Sequence, residues 1–88
     1  SQGVEGFRAI VAECLACAEY AVEKLNAIGV KAWRNPHAIT VVLPKPSSFV
    51  LDKWQLAVQE DIAHIMVMPH VDRDRIDRLV ADMAANPV

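Results

Sequence analysis

Apolar residues in the first third of the chain recur at spacings of three and four. Phe7, Val11, Cys14, Ala18, Ala21, Val22 and Leu25 fall on one face of a helix, and Ile10, Leu15 and Cys17 widen that face beyond a single stripe. No Pro or Gly interrupts the run from Phe7 to Ile28, and Gly29 follows it, as expected where a helix closes in a left-handed turn. The pattern predicts one helix from Glu5 to Ile28, with residues 1–6 grading into a tail or linker. At 1.5 Å per residue it would be about 36 Å long. A small sheet does not need a helix of that length, so its first turns are expected to pack on something else.

The periodicity then changes to that of strands. Val30-Lys31-Ala32-Trp33-Arg34 alternates apolar with polar, and Ile39-Thr40-Val41-Val42-Leu43-Pro44 is a β-branched run with a hard stop. Asn35-Pro36-His37 between them is turn chemistry, so the two are expected to pair as an antiparallel hairpin. Ser47 or Ser48 is positioned to cap a helix over Ser48–Ala57 that turns Val50, Leu51 and Trp54 toward the sheet. After a polar Gln59-Glu60-Asp61 connection, Ile62–Met68 reads as a third strand, and Pro69-His70 ends it. Asp72 is an N-cap for a last helix, Arg73–Ala85, with Ile76, Leu79, Val80 and Met83 as its apolar stripe. The expected fold is α+β, a two-layer sandwich in the order α-β-β-α-β-α with a small three-stranded sheet. Whether the third strand pairs with the first or the second is left open by the sequence.

Composition adds bounds. Eighty-eight residues make one domain. A hydrophobic fraction of 53% is high for that size. Either part of the apolar surface serves a partner, or alanines in the first helix inflate the count. Nine basic against eleven acidic residues give a net charge of −2, which argues against nucleic acid or an anionic membrane as partner. No apolar run approaches the ~20 residues of a membrane span, and the first residues lack the pattern of a signal peptide. Cys14 and Cys17 are then expected as free thiols in a reducing cytoplasm.

Candidate chemistry is sparse. Cys14-Leu15-Ala16-Cys17 has C-x-x-C spacing but lies mid-helix among apolar residues, and no second ligand pair accompanies it, so packing is the expected role. His64 and His70 flank the end of the third strand and His37 sits in a turn, with no partner set placed beside them by a recognisable motif. Trp33 and Trp54 are expected in core or interface. The only glycines are Gly3, Gly6 and Gly29, so there is no phosphate loop. Lys24, Lys31, Lys45 and Lys53 show no sign of the desolvation a Schiff-base lysine needs. No catalytic, cofactor-binding or metal-binding residue is assigned.

Four stretches carry a resemblance. They are Ala18-Glu19-Tyr20-Ala21-Val22-Glu23-Lys24-Leu25; Ala32-Trp33-Arg34-Asn35 leading into Ile39-Thr40-Val41-Val42-Leu43-Pro44-Lys45-Pro46; Asp61-Ile62-Ala63-His64-Ile65; and Pro69-His70-Val71-Asp72 with Ile76-Asp77-Arg78-Leu79. In this order they resemble the C-terminal domain of pyridoxal-phosphate-dependent group II amino-acid decarboxylases, with the bacterial histidine decarboxylase branch nearest and plant serine decarboxylases also similar. The resemblance implies a small C-terminal domain of an enzyme of the aspartate-aminotransferase type. A large domain would hold the cofactor on a lysine preceded by histidine, and no His-Lys pair occurs here. It further implies a cytoplasmic homodimer, a cofactor in the full-length enzyme and none bound by this chain alone. The domain's own part would be to cover the active-site cleft and support the dimer. Residues 7–28 would then be a bridging helix, with Phe7, Ile10 and Val11 as contacts to the large domain. The competing reading is a freestanding α+β module that binds a small ligand or self-associates; fold alone does not choose between them.

Overall fold

The apolar stripe of the first segment forms α1, Gln2–Ala27, in a computed structural model that describes residues 2–86. Its 26 residues correspond to about 39 Å of helix. The expected tail before residue 7 is therefore helical from Gln2 onward. Gly29 closes the helix at φ +86: its N–H donates to Asn26 O at 3.0 Å and the Val30 N–H donates to Leu25 O at 2.9 Å. This pair of bonds satisfies carbonyls that the last turn would otherwise leave open, and the positive φ favours glycine at the position. Only the second half of α1 meets the core, through Cys14, Cys17, Ala18, Ala21 and Leu25.

The sheet contains β1 (Thr40–Pro44), β2 (Ala57–Gln59) and β3 (Ile62–Met66), with α2 (Ser48–Trp54) between β1 and β2, and α3 (Arg73–Ala85) last. The strand order is β1-β3-β2, antiparallel throughout. Thr40 faces Met66, Val42 faces His64 and Pro44 faces Ile62. Inward side chains Val41, Leu43, Ala63, Ile65 and Val67 meet Val50 of α2 and Ile76, Leu79 and Met83 of α3. The α+β class, the long first helix and the three-stranded sheet agree with the sequence reading. Asp72 caps α3 as expected, accepting from the Arg75 N–H at 2.9 Å.

The element order is corrected to α-β-α-β-β-α. The expected strand Val30–Arg34 survives as a single antiparallel bridge, Trp33 to Val42, with both backbone bonds at 2.8 Å. Its other polar groups are spent locally: the Ala32 N–H donates to Val30 O at 2.9 Å, and Asn26 Nδ2 donates to Ala32 O at 3.0 Å. The segment is thus tied to the end of α1 and cannot extend its ladder. The third strand is β2 instead. The helix expected to reach Ala57 stops at Trp54 because Gln55 turns left-handed at φ 50. The Gln59-Glu60-Asp61 connection is the end of β2 plus a two-residue hairpin loop, with Glu60 at φ 55. Such loops need a positive φ, usually supplied by Gly or Asn, so Glu60 gave no signal. The register question is answered as well: Ile62–Met66 pairs with Thr40–Pro44, the second of the expected strands.

Candidate functional site

All three helices reach the core through one side of the sheet. The other side carries Trp33, Val42, His64 and Ala57 in one cross-strand row, Thr40 and Met66 in a second, and Pro44, Ile62 and Gln59 in a third. Paired residues of an antiparallel ladder share a face, so these side chains form one surface. No described helix packs on it, and of its residues only Val42 is buried. Trp33 is 53% exposed, Met66 52% and Ile62 36%. Trp33, Ile62 and Met66 thus leave large apolar side chains in the open on this face.

A second uncovered apolar surface is on α1. The described residues before Cys14 are exposed or half-buried, with Ile10 48% exposed and Val11 half-buried. The side chain of Phe7 lies outside the described residues. The body measures 47 × 25 × 22 Å, and the long axis is far longer than the two-layer core requires. The paired half of α1 is clamped to α3 by Arg73 Nη1 donating to Glu13 Oε1 at 2.8 Å and Tyr20 Oη donating to Asp77 Oδ1 at 2.5 Å. The bond to Arg73 holds the Glu13 carboxyl below its usual range, and the bond to Asp77 pushes the Tyr20 phenol up.

A cavity of about 310 Å³ opens beside β3, where β2 has not yet begun: β2 first pairs at His64, leaving Ile65 and Met66 without a neighbour on that side. Trp54, His64, Met66, Met68, His70 and Arg75 line it over a floor that includes Ile76 and Leu79. Arg75 lies 5.6 Å from the Trp54 ring, a cation–π distance. Trp54 is held by its indole N–H, which donates to Asp82 Oδ2 at 2.9 Å, and Lys53 Nζ reaches the same oxygen at 2.8 Å. Those bonds, Lys53 first, hold the Asp82 carboxyl below its usual range. The structure therefore brings His64 and His70 into one place and leaves His37 apart, exposed in its turn at φ 66. Met66, Met68 and Arg75 were not read as site residues. The alternation of His64, Met66, Met68 and His70 is the one signal that points to the two methionines, and nothing local marks Arg75.

Other candidates resolve as structure. Cys14 and Cys17 are buried free thiols, and burial, followed by the contact with Glu13 at 3.5 Å, pushes the Cys17 thiol up. A thiol so shifted is a poor nucleophile. Among the described residues no charged or polar side chain is buried, and all four lysines are exposed. None of the described helices is long and apolar enough to cross a membrane.

No protein-family model matches the chain. It is similar in sequence to a histidine decarboxylase of Mesorhizobium japonicum, 41% identical over 80 residues that make up 91% of this chain and 21% of that protein. A histidine decarboxylase of Vibrio anguillarum is 45% identical over 83% of this chain and 19% of its own length. The chain thus spans about one fifth of the length of the curated relatives it matches. In three dimensions it is similar to L-methionine decarboxylase from Streptomyces sp.590, with a TM-score of 0.81 and 34% identity over 91% of this chain and 19% of that one.

Proposed function

We propose that this chain, a homologue of one fifth of the histidine decarboxylases, is the small C-terminal domain of a pyridoxal-phosphate-dependent amino-acid decarboxylase. The observation that carries the reading is the 41% identity across 91% of the chain, together with the agreement of fold with a second decarboxylase. Histidine is the favoured substrate of the whole enzyme, because the histidine decarboxylases share 38–45% of aligned residues and the methionine enzyme 32–34%. The remainder of the enzyme holds the cofactor, whose ring supplies the electron sink for loss of carbon dioxide. This domain contributes surface rather than reactive groups: it closes one side of the active-site cleft and supports a cytoplasmic homodimer.

The two uncovered surfaces support that role. Phe7, Ile10 and Val11 on the projecting part of α1 contact the large domain. The sheet face of Trp33, Ile62 and Met66 is the second contact. A longer polypeptide that contains this chain, supplied with pyridoxal phosphate, should release carbon dioxide from histidine. The 88-residue chain under the same conditions should release none and develop no aldimine absorbance. Carbon dioxide from the isolated chain, or none from the longer polypeptide with histidine, serine or methionine, would overturn the proposal.

A further inference from the structure

Because β2 begins pairing only at His64, the sheet edge beside Ile65 and Met66 is open, and residues of both sheet faces reach the cavity of about 310 Å³ that lies there. Leu56, Ile65, Ile76 and Leu79 give it an apolar body, with Trp54 and Met68 also in the lining. The chain bends just past the open edge, with the Met68 N–H on Met66 O at 3.1 Å and the Val71 N–H on Met68 O at 2.9 Å. A strand added at that edge would find little beyond Met66 to pair with. A compact ligand therefore suits the space better than a peptide, and a cavity of this volume is at the small end of those that hold organic ligands.

Charge selects the ligand. No carboxylate lines the cavity, and with neutral histidines Arg75 is the one charge in its wall. Every other ionisable side chain of α3 is already engaged. Arg73 meets Glu13 at 2.8 Å, Arg78 meets Asp74 at 3.1 Å and Lys53 meets Asp82 at 2.8 Å, while Asp77 accepts from Tyr20. The N-cap carboxylate of Asp72 is taken by the backbone N–H of Arg75. The Arg75 guanidinium itself meets no carboxylate among the described residues; it stands 5.6 Å from the Trp54 ring, which Asp82 anchors through the indole N–H. Its N–H donors are thus unspent and are carried beside a fixed aromatic surface. We propose that this cavity binds a small aromatic monocarboxylate, with the ring among the apolar side chains and the carboxylate on Arg75. A planar guanidinium matches the two oxygens of a carboxylate. The Trp54 indole and the Met68 thioether favour an aromatic ring as the apolar part. A phosphate dianion would meet a single positive charge in a mostly apolar lining.

The test is a titration of the 88-residue chain with 3-phenylpropionate, followed by NMR of its two indole N–H signals. Trp54 reports on the cavity, and Trp33, exposed on the sheet face, reports adventitious apolar contact. The Trp54 signal should shift saturably, with a Kd on the order of 1 mM for so small a ligand, and the Trp33 signal should stay in place. 3-Phenylpropanamide has the same shape without the charge and should bind at least about tenfold more weakly. Arg75→Gln, at an exposed position, should keep its far-UV circular dichroism and lose at least about tenfold in affinity for the acid, with Arg75→Lys between the two. Equal affinity for acid and amide, or full affinity in Arg75→Gln, would overturn the proposal. So would a Trp33 shift matching that of Trp54, or the absence of any saturable shift.

Discussion

The sheet face that no helix covers makes a quantitative claim. Consider Trp33→Thr with Ile62→Thr, which keeps β-branched residues in extended positions. Trp33 is 53% exposed and Ile62 36%. An aromatic side chain buries ~150–250 Å² when covered, so the uncovered part of Trp33 leaves about 80–130 Å² for a partner. At about 25 cal/mol per Å² that is roughly 2–3 kcal/mol. The uncovered third of Ile62 adds about 0.5–1 kcal/mol. Docking should therefore weaken by about 2.5–4 kcal/mol, or roughly 60- to 700-fold. The assay is urea unfolding of the double variant in two contexts, the isolated chain and a longer polypeptide that contains it, with unfolding of 73–85 followed by pulsed hydrogen exchange. Contacts that Trp33 and Ile62 make within the chain cost the same in both contexts and cancel in the difference. With a urea slope on the order of 1–2 kcal/mol per M, the midpoint should fall about 2 M further in the longer polypeptide. Equal shifts in the two contexts would refute the docking argument.

Two smaller predictions concern the fold itself. Glu60→Gly removes the left-handed penalty of ~1–2 kcal/mol and adds roughly 0.4–1 kcal/mol of unfolded-state entropy, so the chain should be unchanged or up to about 1.6 kcal/mol more stable in chemical denaturation. Asp82 is held below its ordinary value of 3.8 by Lys53 and then Trp54, so its stabilisation is complete above that value and is lost as pH falls through the lower folded-state pKa. Asp82→Asn should therefore lower the urea midpoint at pH 7 by an amount that shrinks as pH falls below the ordinary carboxylate range, and a difference that stays constant as the pH is lowered would count against the assignment.

The parts of the fold readable without coordinates are those with strong side-chain signals. The α1 stripe with Gly29 behind it, the Ile76, Leu79 and Met83 face and the run at Val41–Leu43 each bury an apolar set, and burial leaves a period in the sequence; the Asp72 cap is legible from its residue type at a helix start. The resemblance to decarboxylases was readable for the same reason, because those stretches span the core elements. What failed was backbone business. Trp33 alternates with its neighbours as a strand should, yet Asn26 and the end of α1 hold the segment to one bridge. Ala57–Gln59 is exposed throughout and carries no apolar period, so it becomes a strand only because β3 offers a free edge. The cavity joins residues from α2, β3 and α3 through those pairings, and no local pattern could have placed Arg75 beside Trp54 and His70. Side-chain burial is written locally in the chain, whereas the partner of an exposed backbone hydrogen bond is decided only when distant segments meet.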